Sequence, residues 1–167
     1  MKFRTISAVL IFVFASFCAM AEDFATVLHK AENGDTYAMH EIGVVYANGE
    51  GRPQDYAEAF KWFEKAAYGG QHNAMYSLAI MYKFGQGRDV DMVKALAWHA
   101  LAAKYIPKNA DEWFIPRAKV DMYLRRPGEI AAQLSTSEQE RAAQLYAELA
   151  TKIGVPESAK GMPIQQP

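Results

Sequence analysis

Cysteine is almost missing from this chain: Cys18 is the only one in 167 residues, and it lies in an N-terminal stretch laid out as a removable leader. The rest of the chain can build no disulfide framework, so its stability must come from packing. Positive charge is not in excess either, with 18 Lys and Arg against 19 Asp and Glu. Without a basic stripe there is no electrostatic footprint for nucleic acid, and none is expected as a partner. No segment alternates apolar and polar residues at period two, which argues against a sheet. Long hydrophobic runs are few, and the leading one, Ile6 to Phe17, is shorter than the roughly 20 residues a membrane-spanning helix needs.

That run has Lys2 and Arg4 in front of it and Ala19-Met20-Ala21 behind, followed by Glu22-Asp23. A charged start, an apolar middle and a small-x-small end make a secretory signal peptide of residues 1–21, cut after Ala21. The mature chain is then expected to be periplasmic or secreted, with no membrane span. Lys2 and Arg4 are the only charges in the leader, so its removal takes the formal charge from −1 to −3. The remaining length fits one domain, and 51% apolar with 22% charged residues is ordinary globular composition.

Two segments of the chain, Ala38 to Ala67 and Ala74 to Ala103, match at a fixed offset of 36. Ala38, Tyr46, Gly49, Gly51, Arg52, Asp55, Ala59, Trp62, Ala66 and Ala67 return as Ala74, Tyr82, Gly85, Gly87, Arg88, Asp91, Ala95, Trp98, Ala102 and Ala103. Self-similarity at such a period is the mark of stacked structural repeats. Within each copy, apolar residues at helical spacing form two stripes around a glycine-rich connector, an amphipathic helical hairpin. Asp35 or Thr36, Asp55 and Asn73 are expected as helix caps. Gly43, inside a helix, marks a close crossing of two helices.

Before the first copy, Phe24, Val27, Leu28 and Ala31 share one helical face. Ala31 and Gly34 match Ala67 and Gly70 at the same offset, so this helix is the second half of an incomplete repeat that covers the end of the stack. After Ala103 the register fails. Pro107, Pro116 and Pro127 break the segment from 106 to 128, helix is expected again at 129–134, and Thr136 with Gln139 forms a capping box for a closing helix. Residues 157–167 are polar and proline-bearing and read as a loose tail.

The pattern Ala-x3-Ile/Leu-Gly/Ala-x2-Tyr-x2-Gly-x-Gly, then Asp-x3-Ala-x2-Trp-x3-Ala-Ala, resembles the Sel-one-like repeat, a relative of the tetratricopeptide repeat. Ala79 departs from it where the family usually has glycine. The resemblance implies an all-α fold: a short right-handed α-α repeat solenoid, tetratricopeptide-like, with capping helices at both ends. A domain of residues 22–156 would then hold a partial repeat (22–35), two full repeats (36–71 and 72–105), an irregular segment (106–128) and capping helices (129–156).

Chemistry is hard to find. His29, His40, His72 and His99 are scattered, without carboxylate or cysteine partners at ligand spacing, so no metal site is expected. His40-Glu41 opens like a zinc-protease motif, but Val44 stands where the second histidine is needed. Gly49-x-Gly51 lacks a third glycine and a preceding strand, and no nucleophile elbow or phosphate loop occurs. The reading is therefore non-enzymatic, with no catalytic residue and no cofactor.

Binding is the alternative. The resemblance implies that first helices line a concave groove for a protein or peptide. Tyr37, His40, Glu41 and Val44 of the first copy would face that groove, with Tyr76, Ser77, Ile80, Lys83 and Phe84 of the second. Trp113, Arg125 and Arg126, in the segment after the repeats, are further candidates. The expected function is an exported adaptor that holds a protein or peptide partner. A structural or regulatory subunit stable mainly in an oligomer is the second reading, and a cell-wall-directed hydrolase the remote third.

Overall fold

The computed structural model describes residues 24–106 and 117–153, and every regular element within them is a helix. The leader, Trp113 and the tail lie outside the described residues. The helices are residues 24–32 (α1), Thr36–Asn48 (α2), Tyr56–Tyr68 (α3), His72–Phe84 (α4), Met92–Tyr105 (α5), Arg117–Ala131 (α6) and Thr136–Ile153 (α7).

Each repeat is punctuated by the same local chemistry. Asp35 accepts from the backbone N–H of Tyr37 and Ala38, and Asp55 from those of Ala57 and Glu58. Such caps satisfy amides that a helix start leaves without an intrahelical partner. α4 is capped by Gln71, whose side chain accepts from Ala74 N–H at 2.7 Å, and not by the expected Asn73, which is the second residue of the helix. Gly49 and Gly85 end α2 and α4 at φ 72° and 68°, a left-handed turn that an L side chain enters only with strain. The N–H of Asp55 then donates to Tyr46 O, and that of Asp91 to Tyr82 O, both at 2.9 Å, which fixes where the second helix begins.

Packing follows the repeat. α2 lies along α3 and α4 along α5, and the pairs stack through α3 against α4. The alanines Ala59, Ala66, Ala67, Ala74, Ala95 and Ala102 are fully buried, which lets the helices approach closely. Gly43 sits at such an approach: a Cβ there would lie 2.6 Å from the Phe63 ring. Between repeats, Arg52 lays its guanidinium 3.3 Å from the centroid of Phe24 and donates to Tyr46 OH. One repeat later, Arg88 lies 3.0 Å from the centroid of Phe60 and donates to Tyr82 OH at 2.8 Å. Phe24 and Phe60 are themselves 36 residues apart, so α1 supplies the same packing surface to the first repeat as α3 does to the second.

The segment expected to be irregular up to residue 128 contains α6, a helix that runs through Pro127. A proline removes one backbone hydrogen bond and crowds the preceding turn, so its presence suggested a break. Buried anchors on both sides, Tyr123 and Ile130, hold the helix across it. The expected helix at 129–134 is only the last turn of α6 and the bend after it. α6 packs on α5 as α4 packs on α3, taking the place of a third first helix. α7 does not continue the pattern. It folds over α5 and reaches α3, burying Ala142 and Leu149. Its cap is Ser135 with Glu138, one residue before the expected Thr136 and Gln139: Ser135 N–H and Oγ both donate to Glu138. Gln139 instead donates to the carbonyls of Ala131 and Leu134, tying α7 to the end of α6.

Candidate functional site

On α2, Tyr37, Glu41 and Asn48 are exposed and share one side of the helix with Val44. On α4 the same side carries Asn73, Ser77, Ile80 and Phe84, their equivalents at +36. Tyr37 is 60% exposed and Phe84 62%, whereas the residues that define the repeat, among them Ala38, Ile42, Ala74 and Leu78, are buried. Val44 and Ile80 are half-buried between these limits, and Glu41 is exposed. The two helices meet across this face, where Ser77 Oγ lies 3.5 Å from His40 Nε2. His40 in turn packs its ring on Phe63 of α3 at 5.4 Å between centroids. These residues form one continuous surface on the first helices.

Tyr76 stands differently from the open groove position expected of it. Its ring stacks on Tyr123 of α6 at 4.5 Å and meets His99 of α5 edge-on at 5.0 Å, and its hydroxyl donates to Met122 Sδ. Tyr123 completes the junction by donating to Asn73 Oδ1 at 2.8 Å. Tyr76 is thus a joint between the second repeat and α6. No spacing rule could show this, because α6 is out of register with the repeats.

α6 adds its own side to the surface. Leu124 is 58% exposed, Arg125 is exposed, and Arg126 is half-buried with its Nε 3.8 Å from Glu129. Lys83, half-buried, places its ammonium 5.5 Å from the Phe84 ring centroid. Two of these cations reach a buried neighbour: burial, then Arg126 and Lys83, pull the His99 imidazole down to about 4. Both of its ring nitrogens lack a hydrogen-bond partner, so nothing offsets the desolvation of a charged ring. Burial also pushes the Tyr76 hydroxyl upward, against the pull of Arg126. Burial drives the Tyr123 hydroxyl far above the usual tyrosine range.

Among the described residues, no three His, Cys, Asp or Glu side chains gather as a metal site would need, and no helix is long and apolar enough to cross a membrane. What the surface offers is apolar and charged contact area.

Comparison with known proteins shows what this architecture is similar to. The Sel1 repeat matches residues 36–71 and 72–104. A stretch of 48 residues is 44% identical to the "ERAD-associated E3 ubiquitin-protein ligase component HRD3B" of Arabidopsis thaliana, over 28% of this chain and 8% of that protein. The crystal structure of c5321, "a protective antigen present in uropathogenic Escherichia coli strains displaying an SLR fold", superposes with a TM-score of 0.67. It is 22% identical, over 78% of this chain and 25% of its own, so the likeness is one of fold. A Sel1 repeat protein from Oxalobacter formigenes gives a TM-score of 0.48 at 25% identity, over 73% and 98% of the two chains. The chain therefore spans less than a tenth of HRD3B and a quarter of c5321. The segment that builds α2 to α5 thus matches the Sel1 repeat twice in succession, and the helical stack as a whole shares its fold with c5321.

Proposed function

We propose that this protein is an exported, non-catalytic scaffold that holds a segment of another protein against the open face of α2 and α4. One observation carries the reading. The two copies share their buried alanines, Ala38/Ala74, Ala59/Ala95 and Ala66/Ala102, whereas the exposed Tyr37, Glu41 and Asn48 of the first copy are replaced by Asn73, Ser77 and Phe84 in the second. Tyr37 and Phe84 add exposed aromatic contact area to that face. Stacked helical pairs suit this work, because they present an extended face on a rigid frame. The Arabidopsis relative, a component of a ligase, is consistent with such a role.

Export rests on the leader of residues 1–21. Release of a chain beginning at Glu22 into the periplasm or the medium is the expected outcome of fractionation and N-terminal sequencing. The scaffold is tested with a photo-crosslinking residue placed at Tyr37, at Phe84 or, as a control, at exposed Lys61 on α3. Adducts with one partner from positions 37 and 84, and not from 61, are expected. Equal adducts from all three, or none from 37 and 84, would overturn the reading.

A further inference from the structure

Tyr76 of α4, His99 of α5 and Tyr123 of α6 bring three helices to one point, and that point holds a weakness. His99 is 1% exposed, and neither of its ring nitrogens has a hydrogen-bond partner. A neutral imidazole can be held there with a bond unmade, but a charged one is strongly disfavoured. The charges around it add to this. Lys83 from α4 and Arg126 from α6 both act on the ring, and no carboxylate is among the groups that do. Glu129 of α6 lies by Arg126 and bears on Tyr76 instead. From α7, Arg141 and Glu148 line a cavity with Asp91 and Lys94 at the start of α5, away from the ring. The remaining titratable neighbours are rings: Tyr76 edge-on to His99, with Tyr123 behind it and His72 facing Tyr123 at 6.0 Å between centroids.

α6 is the element least able to resist a charge at this point. Its buried side chains among the described residues are Tyr123 and Ile130, where α4 buries Met75, Leu78, Met81 and Tyr82 besides its alanines. Pro127 and Gly128 lie inside it, the two residue types least suited to a helix interior. A Cβ at Gly128 would meet nothing within 4 Å, so no close approach calls for the glycine. An element with so few anchors opens by itself more readily than the whole chain unfolds.

Opening α6 takes Arg126 away from His99 and Tyr123 away from Tyr76, which frees Tyr76 to let water reach the imidazole. With α6 docked the ring is held at about 4, against an ordinary 6.5. The opened form therefore binds the proton more tightly, so falling pH favours opening, from about pH 6.5 down to about pH 4.

We propose that α6 is an acid-released clasp: a proton on His99 frees α6 from α4 and α5 while α2 to α5 and α7 stay folded. Once released, α6 no longer stacks Tyr123 on Tyr76 or ties it to Asn73, and both α4 side chains are uncovered. The clasp does not depend on what the open face holds.

The test is amide hydrogen exchange of the purified protein, followed residue by residue by NMR at about pH 6.5 and about pH 4.5. Rates are corrected for the intrinsic effect of pH, and urea is added below the unfolding transition. Protection of the α6 amides is expected to fall about thirtyfold between the two pH values, with little dependence on urea, because one opening helix exposes little surface. The α3 amides should exchange only by urea-sensitive unfolding. His99→Phe should remove the pH effect on α6, and the wild-type His99 ring should titrate well below the ordinary histidine range. A urea dependence of α6 equal to that of α3, or an undiminished pH effect in His99→Phe, would overturn the inference. So would a His99 ring that titrates near the ordinary value of about 6.5. The urea dependence and the ring titration use wild type alone, so they decide the matter even if His99→Phe does not fold.

Discussion

At the residue scale, His99 holds in the second repeat the place that Phe63 holds in the first. His40 meets Phe63 at 5.4 Å, and its equivalent Tyr76 meets His99 at 5.0 Å, so the ring contact survives while the chemistry changes sides. Buried at 1% exposure, the imidazole is held at about 4 against an ordinary 6.5. A folded-state value below the unfolded one means that falling pH favours the unfolded chain. The contribution is complete above about pH 6.5 and declines as the pH drops toward 4, by about 3 kcal/mol in all. His99→Phe, which copies the first repeat, is expected to fold at neutral pH and to lose this part of the acid sensitivity. Urea midpoints at pH 7 and pH 4.5 measure it, and an equal drop in both proteins would refute the assignment to His99. Asp91, whose carboxylate is held low by the hydrogen bonds and charge of Lys94 in spite of its burial, is common to both proteins and cancels in the comparison.

At the scale of elements, the joints between repeats are arginines lying on phenylalanines. Arg88 sits between Phe60, which is buried, and Tyr82, whose ring meets Phe60 edge-on at 5.5 Å. Arg52 makes the same joint with Phe24, which is only half-buried at the edge of the stack. A guanidinium over an aromatic face contributes more where water is excluded, and its stem packs as well. Arg88→Ala is therefore expected to cost about 1–3 kcal/mol and Arg52→Ala less. Arg88→Lys should recover little, because a point charge cannot lie flat on the ring and donate to Tyr82 in one geometry. Urea unfolding of the three variants decides this, and equal costs for Arg52→Ala and Arg88→Ala would contradict it.

For the whole molecule, the question is how two full repeats suffice. About three are normally needed, because each repeat buries its apolar side only against a neighbour. Here α1 covers one end, with Ala31 buried against Ala38 and Ile42, and α6 with α7 cover the other. The main core runs without interruption from Ala59 to Leu149, so α7 belongs to the same cooperative unit as the repeats. A chain ending before Ser135 is expected to lose its single sharp urea transition and to bind a hydrophobic dye, since α5 would be uncovered. A truncated chain that unfolds as sharply as the full one, at the same midpoint, would show that α7 is dispensable.

The repeats were legible in the sequence because their constraints are local or periodic. Asp35 and Asp55 cap the turns that follow them, and Gly49 and Gly85 supply the left-handed stops. The alanines and Gly43 mark where helices touch, and the 36-residue offset brought Ala31 and Gly34 into the same scheme as Ala67 and Gly70. Those features set the helical hairpins and their order, and they separated the buried side from the open one. The α6 region was not legible, because its anchors are long-range: Tyr123 and Ile130 carry no repeat register, and only their burial against α4 and α5 outweighs the helix-breaking tendency of Pro127. For the same reason the sequence alone placed Tyr76 in an open groove, while tertiary packing made it the joint to α6. The sequence by itself determined a stack of helical pairs. Packing between distant segments decided where the stack closes and which side chains remain on its open face, because those contacts join residues that no local or periodic rule relates.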